Sequence, residues 1–185
     1  MRTTHLALAS LVFLLATTTL ITPNRALGAS AAEIDRGVRS ALQQLYAQSP
    51  SARALGQRAK AILVFPSIAK GGFIVGGQYG EGALLRNGKT AGYYSTIQVS
   101  YGLQAGLQKY GYALFLMSDS AIDWVNRSNG WEIGTGPSIV IVDVGKASSL
   151  TTTTLHSEIY AFFFGQRGLM AGLGLQGTKI TRINK

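Results

Sequence analysis

Few side chains in this sequence could do chemistry, and their spacing argues against a reaction. His5 and His156 are the only histidines, and His5 falls in an apolar leader described below. A serine–histidine–carboxylate relay would therefore have to use His156. Its neighbours Ser157 and Glu158 follow directly in sequence, and adjacent residues on a strand point to opposite faces. No Gly-x-Ser-x-Gly turn is present to expose a nucleophile. The segment Gly172-Leu173-Gly174-Leu175-Gln176-Gly177 satisfies the dinucleotide pattern letter for letter, but that pattern needs a following helix and an acidic residue about 20 positions on. Only eight residues follow Gly177, so the segment is expected to be strand. Gly82 to Gly88-Lys89-Thr90 is like a phosphate-binding loop, yet five residues intervene where four are required. One usable histidine, no thiol and scattered carboxylates supply no metal-ligand cluster. The expectation is a protein that is not an enzyme, with no catalytic residues, no metal site and no cofactor.

The cations are more informative. Seventeen Lys and Arg against eight Asp and Glu give a net charge of +9, a balance that favours anionic partners, either phospholipid headgroups or nucleic acid. Arg36, Arg39, Arg53, Arg58, Lys60 and Lys70 are the candidate lipid-binding residues. Each cation held near an anionic surface contributes roughly 1 kcal/mol, so they act together only if they share a side. Arg53 and Lys60 are seven residues apart and nearly aligned on a helix, whereas Arg58 lies about 140° from Arg53. Lys70, in the Ala69-Lys70-Gly71 turn, would have to complete the patch. The plainer alternative is that the helical cations are the solvated side of two packing helices. Aromatics concentrate at Tyr93, Tyr94, Tyr101, Tyr110, Tyr112, Phe115, Trp124, Trp131 and Tyr160 through Phe164. They suit strand cores and cross-strand pairs, with a place in a lipid interface as the alternative.

These residues need elements to position them. Ile34, Val38, Ala41, Leu42 and Leu45 recur at spacings of three and four, which predicts a helix over Ser30–Gln48. Ser30 and Glu33 form a capping box at its start. A second helix runs from Ser49 to about Lys60, with Pro50 in its first turn. Strands are expected at Ala61–Phe65, ended by Pro66, and at Gly72–Tyr79 and Glu81–Arg86, followed by the hairpin chemistry of Asn87-Gly88. Others fall at Thr90–Ser100, Gly102–Lys109 and Gly111–Met117. A short helix spans Ser118–Arg127 with Ser118 as its cap. Strands resume at Trp131–Ile133, Ser138–Val144, Ile159–Phe164, Met170–Gln176 and Lys179–Ile183, while Thr151–Thr154 suggests a loop or edge. The predicted fold class is α+β, a mostly antiparallel curled β-sheet, sandwich or barrel-like, with N-terminal helices and one short helix near 118–127.

Glycine-punctuated apolar runs recur in this frame. Ala69-Lys70-Gly71-Gly72-Phe73-Ile74-Val75-Gly76-Gly77 stands early and Gly168-Leu169-Met170-Ala171-Gly172-Leu173-Gly174-Leu175-Gln176-Gly177-Thr178 late. Between them come Gly80-Glu81-Gly82, Tyr101-Gly102-Leu103-Gln104-Ala105-Gly106 and Ala113-Leu114-Phe115-Leu116-Met117. In this order, over about two thirds of the chain, they resemble the SYLF-domain family of lipid-binding proteins. The resemblance implies a phospholipid-binding, non-enzymatic domain. Eukaryotic members use their N-terminal region for phosphoinositides, which supports the choice of helical cations. Three segments depart from the eukaryotic pattern: Ala91-Gly92-Tyr93-Tyr94, Val142-Asp143-Val144-Gly145-Lys146 and Phe163-Phe164-Gly165-Gln166-Arg167-Gly168. They suggest a bacterial, secreted branch, and actin binding is not carried over.

The apolar run Leu6–Ile21, followed by Pro23 and the small residues Ala26-Leu27-Gly28-Ala29-Ser30-Ala31, has the form of a secretory signal peptide over 1–28. Residues 30–185 are expected to form a single SYLF-like domain. Removing Arg2 and Arg25 with the leader leaves 15 cations against 8 acids, or +7. With no cysteine there is neither a disulfide nor a lipid-accepting thiol. The expected location is exported, whether periplasmic, membrane-peripheral or secreted. The expected partner is an anionic phospholipid or membrane surface, without nucleic acid or actin. A small integral outer-membrane β-barrel is the alternative.

Overall fold

The computed structural model describes residues 28–72, 75–101, 108–127, 129–142, 157–167 and 174–185. The leader, His156, Thr151–Thr154 and most of the expected strands at 102–109 and 170–176 lie outside them. Helices α1 (Ala31–Gln48) and α2 (Pro50–Arg58) precede strands β1 (Ala61–Gly72), β2 (Val75–Arg86), β3 (Lys89–Tyr101) and β4 (Gln108–Leu116). Helix α3 (Asp119–Val125) is followed by β5 (Trp131–Glu132), β6 (Ile139–Val142), β7 (Ile159–Arg167) and β8 (Lys179–Ile183).

Local chemistry explains the helix ends. Glu33 N–H donates to Ser30 Oγ at 3.3 Å while Ser30 N–H donates to Glu33 Oε2 at 2.8 Å, which completes the capping box. Ser49 closes α1 through its N–H to the Leu45 carbonyl (2.9 Å) and opens α2 by accepting from Ala52 N–H (3.2 Å). Ser118 caps α3 in the same way. A cap contributes about 1 kcal/mol, whereas each of Val38 and Leu45, fully buried under α1, contributes roughly 1.5–3 kcal/mol. Burial therefore holds α1 in place and the caps set where it starts and stops.

The eight strands form one sheet in the order β5-β8-β3-β2-β1-β4-β7-β6, antiparallel except for the β6–β7 pair. The sheet curls into a half-barrel with an apolar cluster on each face. On the inner face Leu63, Phe65, Ile68, Tyr94, Tyr112 and Phe163 pack with Trp131 and with Ala121, Ile122 and Val125 of α3. On the outer face Ile62, Val64, Ala83, Phe115 and Phe162 pack under Ile34, Val38, Ala41 and Leu45 of α1 and Ala52 and Leu55 of α2. A lipid-spanning barrel would turn that outer face to acyl chains, and here two helices cover it, so the barrel alternative finds no support.

Four strand expectations are corrected. Pro66 does not end β1: the strand continues to Gly72 through a register shift between Val64 and Ser67. A bulge accommodates a residue that cannot donate to the ladder. Gly80 does not divide β2, and Lys109–Gly111 does not divide β4, each of which is a single strand. Gly174–Gln176 lies in a loop and turn rather than a strand, with Thr178 N–H donating to the Leu175 carbonyl. The hairpin was legible, since Asn87 and Gly88 both have positive φ (51° and 74°), as a two-residue turn of the primed type requires.

The glycine opposite the bulge is fixed by contact. A Cβ on Gly82 would fall 2.1 Å from the Val64 carbonyl oxygen, whereas one on Gly77 would meet nothing within 4 Å. Gly82→Ala is expected to cost about 3 kcal/mol through overpacking, and Gly77→Ala to stay within about 0.5 kcal/mol of the parent. Denaturant unfolding of both variants checks the pair.

Candidate functional site

Strand register assembles the site from separate parts of the chain. On the outer face, beyond the end of the helical cover, Cα pairing aligns Lys109, Ala69, Tyr79, Ile97 and Lys179 in one row across β4, β1, β2, β3 and β8. Gly71, Gly77 and Val99 form the next row on that face. Tyr79, Ile97 and Val99 are 46%, 47% and 58% exposed. Lys109 and Lys179, at the two ends of the row, are exposed too. The result is an apolar patch about two strands wide, fringed by an ammonium group on either side.

The opposite face of the same strands is polar. Lys70, Gln78 and Gln98 align there, and Gln78 is only 5% exposed. Its amide donates to Gln98 Oε1 and its carbonyl accepts from Tyr110 Oη at 2.5 Å. Gln98 donates onward to the Gln176 carbonyl at 2.7 Å, and Thr96 Oγ1 bonds Tyr112 Oη at 2.8 Å. Burial pushes the Tyr110 phenol up to about 12 against the lowering effect of its bond to Gln78. Burial raises Tyr112 further, outweighing its bond to Thr96. Buried polar atoms that are bonded in this way carry little penalty. This end of the sheet is thus polar inside and apolar outside, whereas its other end is apolar on both faces.

A groove of about 630 Å³ runs beside the patch, between the first half of α1 and the sheet, with Ile34, Gly37, Ala41, Pro66, Ala69 and Phe164 along it. Glu81 reaches into it and is only 9% exposed in its side chain. Glu81 Oε1 accepts from Tyr79 Oη at 2.7 Å and Lys185 Nζ at 3.0 Å, and Oε2 accepts from Ala29 N–H at 3.0 Å. Burial pushes the carboxyl up, but the bonds from Tyr79 and Lys185, the Lys185 charge and the Ala29 amide together hold it below its ordinary value. Burial, the bond to Glu81 and that residue's charge push the Tyr79 phenol up to about 12.

The cations singled out from the sequence are dispersed. Arg36 and Arg39 lie on the exposed side of α1, and Arg39 stands 3.9 Å from Asp35. Arg53 donates to the Tyr46 carbonyl at 3.3 Å, and Arg58 is exposed at the end of α2. Lys60 pairs with Asp119 at the start of α3, and that bond holds the carboxyl below its ordinary value. Lys70 is on the inner-face row. Tyr79, Ile97, Val99, Lys109 and Lys179 were not singled out, although alternation in Thr96-Ile97-Gln98-Val99 marks two of them as sharing a face. Among the described residues no group of three or more His, Cys, Asp or Glu could hold a metal. No described helix is long and apolar enough to cross a membrane.

The fold and site define an α+β half-barrel domain with helices on its outer face and an exposed apolar end. Residues 97–185 match the Ysc84 family, described as Las17-binding protein actin regulator, and over these residues the SYLF resemblance carried by the later glycine motifs holds. The match takes in Ile97, Val99, Lys109 and Lys179 and begins beyond Tyr79 and Glu81. No curated protein matches the chain significantly.

Glu81 supplies a pH test. Its carboxyl is lowered in the folded protein, so the stability it contributes is present above the unfolded value of about 4.3 and is lost as pH falls through the lower folded value. Glu81→Gln is expected to lower Tm by about 5 °C at pH 7, corresponding to roughly 1–2 kcal/mol. The gap between parent and variant should close as the pH is taken from 5 towards 3, followed by thermal melts.

Proposed function

We propose that this chain is an exported, non-enzymatic phospholipid-binding protein that docks on anionic membrane surfaces through the apolar patch. The observation that carries the reading is the inverted end of the sheet. Gln78, Thr96 and Gln98 take the buried side while Tyr79, Ile97 and Val99 face solvent, an arrangement that hydrophobic burial alone opposes. Three exposed apolar side chains cost little if they enter the boundary between headgroups and tails, where tyrosine is favoured. Lys109 and Lys179, one on each side, stand where phosphate groups would then lie. Two such cations supply about 2 kcal/mol near an anionic surface, and aliphatic insertion adds to this.

The Ysc84 family is described as Las17-binding protein actin regulator. Actin is not part of the present reading, because the patch combines a phenol, aliphatic groups and ammonium groups in the proportions of an interfacial lipid contact. The helical cations Arg36, Arg39, Arg53 and Arg58 give a general electrostatic attraction, while Lys60 is engaged with Asp119 and Lys70 belongs to the inner row.

Sedimentation with vesicles tests the proposal. The protein is expected to bind phosphatidylglycerol-containing vesicles, to ignore purely phosphatidylcholine ones, and to lose affinity as salt shortens the screening length below about 10 Å. Lys109→Gln with Lys179→Gln should weaken binding about thirtyfold, and Ile97→Ser with Val99→Ser should weaken it at every salt concentration. The triple change of Arg53, Arg58 and Lys60 to glutamine should alter it by no more than about threefold. If the triple variant loses binding while the patch variants keep it, the contact lies on the helices and the patch reading is wrong.

A further inference from the structure

Glu81 accepts from three donors, and one of them is unusual. The Ala29 amide, 3.0 Å from Oε2, belongs to the backbone of the chain where it enters the fold, two residues before α1 begins. A Cβ on Gly28 would fall 2.7 Å from both Glu81 Oε1 and Lys185 Nζ, so the backbone at 28–29 passes directly over the carboxylate. The sequence immediately before is Ala26-Leu27-Gly28, with small residues at the last and third-last positions, the pattern that a signal-removing endopeptidase accepts.

We propose that the chain is cut between Gly28 and Ala29 and that Glu81 is the receptor for the α-amino group this cut creates. The reaction is amide hydrolysis by an endopeptidase. Water adds across the Gly28–Ala29 bond, the carboxylate departs on Gly28 with the leader, and Ala29 keeps the amine. At neutral pH that amine is largely protonated, its ordinary value being about 7.7–8.0, and a carboxylate at hydrogen-bond distance favours the charged form further. The neutral amide donor at 3.0 Å is thereby replaced by an ammonium group at the same place. Glu81 then lies between two cations, the new terminus and Lys185, with the Tyr79 phenol on the third side. Glu33 of α1 and Lys109 of β4, the other charged groups along the groove, have opposite signs.

The consequence is a latch that processing completes. Ala29 fixed on β2 anchors the first turn of α1 to the sheet, next to the capping box of Ser30 and Glu33. Departure of residue 28 also removes one of the residues that line the groove. This inference rests on the leader rather than on membrane docking, which vesicle sedimentation tests separately.

The full chain is expressed with its leader in an exporting bacterial host, and the exported product is sequenced from its N-terminus. The α-amine is then titrated by NMR in the parent and in Glu81→Gln. The expected product begins at Ala29, and its amine titrates above the ordinary α-amine range in the parent and within that range in the variant. A product beginning elsewhere, or one retaining Met1, overturns the proposal. So does an amine within the ordinary range in the parent, a result that needs no variant to fold. A raised amine that stays equally raised in Glu81→Gln also overturns it, because the partner would then be another group.

Discussion

The bulge at Pro66 in the central strand is the constraint on which the two faces of the protein depend. Before it, Ala61, Leu63 and Phe65 point to the inner cluster; after it, Ile68 does, so the parity of the strand changes within three residues. The shift is accommodated because Gly82 lets the neighbouring strand approach the Val64 carbonyl, and because Gly37 of α1 leaves space over the proline ring, from which a Cβ there would be 3.2 Å. With parity changed, Lys70 goes inward beside Gln78, and Ala69 goes outward between Lys109 and Tyr79. Without the bulge these residues would exchange sides, since successive strand residues face opposite ways.

Much of the architecture was legible because its causes are local. The capping box of Ser30 and Glu33, the proline opening α2 and the Asn87-Gly88 turn each act within four residues, and each falls where the sequence places it. The glycines could be seen as sites of curvature or close approach, and Gly82 is one. Pro66 misled because proline usually stops a strand, and the compensating bulge depends on a partner strand some 15 residues away.

The candidate site was less legible for a different reason. Counting cations reveals an affinity for anions, but not which cations share a face. Arg36, Arg53, Lys60 and Lys70 are near one another in sequence and dispersed in space, whereas Lys109, Tyr79 and Lys179 are far apart in sequence and in register. Alternation in Thr96-Ile97-Gln98-Val99 suggests a core side of Ile97 and Val99, and the structure buries Thr96 instead. The bonds among Gln78, Gln98 and Tyr110 and the separate pair Thr96–Tyr112 make that reversal affordable, and these residues come from three strands.

The turn at Asn87-Gly88 lies at the far end of the same hairpin, about ten residues and so roughly 30 Å from Val99. It nevertheless governs what that distant end displays. Register along β2 and β3 is counted from the turn through one irregularity between Leu84 and Leu85, and a slip of one residue reverses every side chain on a strand. A change of backbone preference at Asn87 could therefore hide Ile97 and Val99 and expose Thr96 and Gln98 without altering any of those residues. The water-facing character of one tip thus depends in part on the backbone at the other, so the substitutions with the widest reach over the patch need not lie in it.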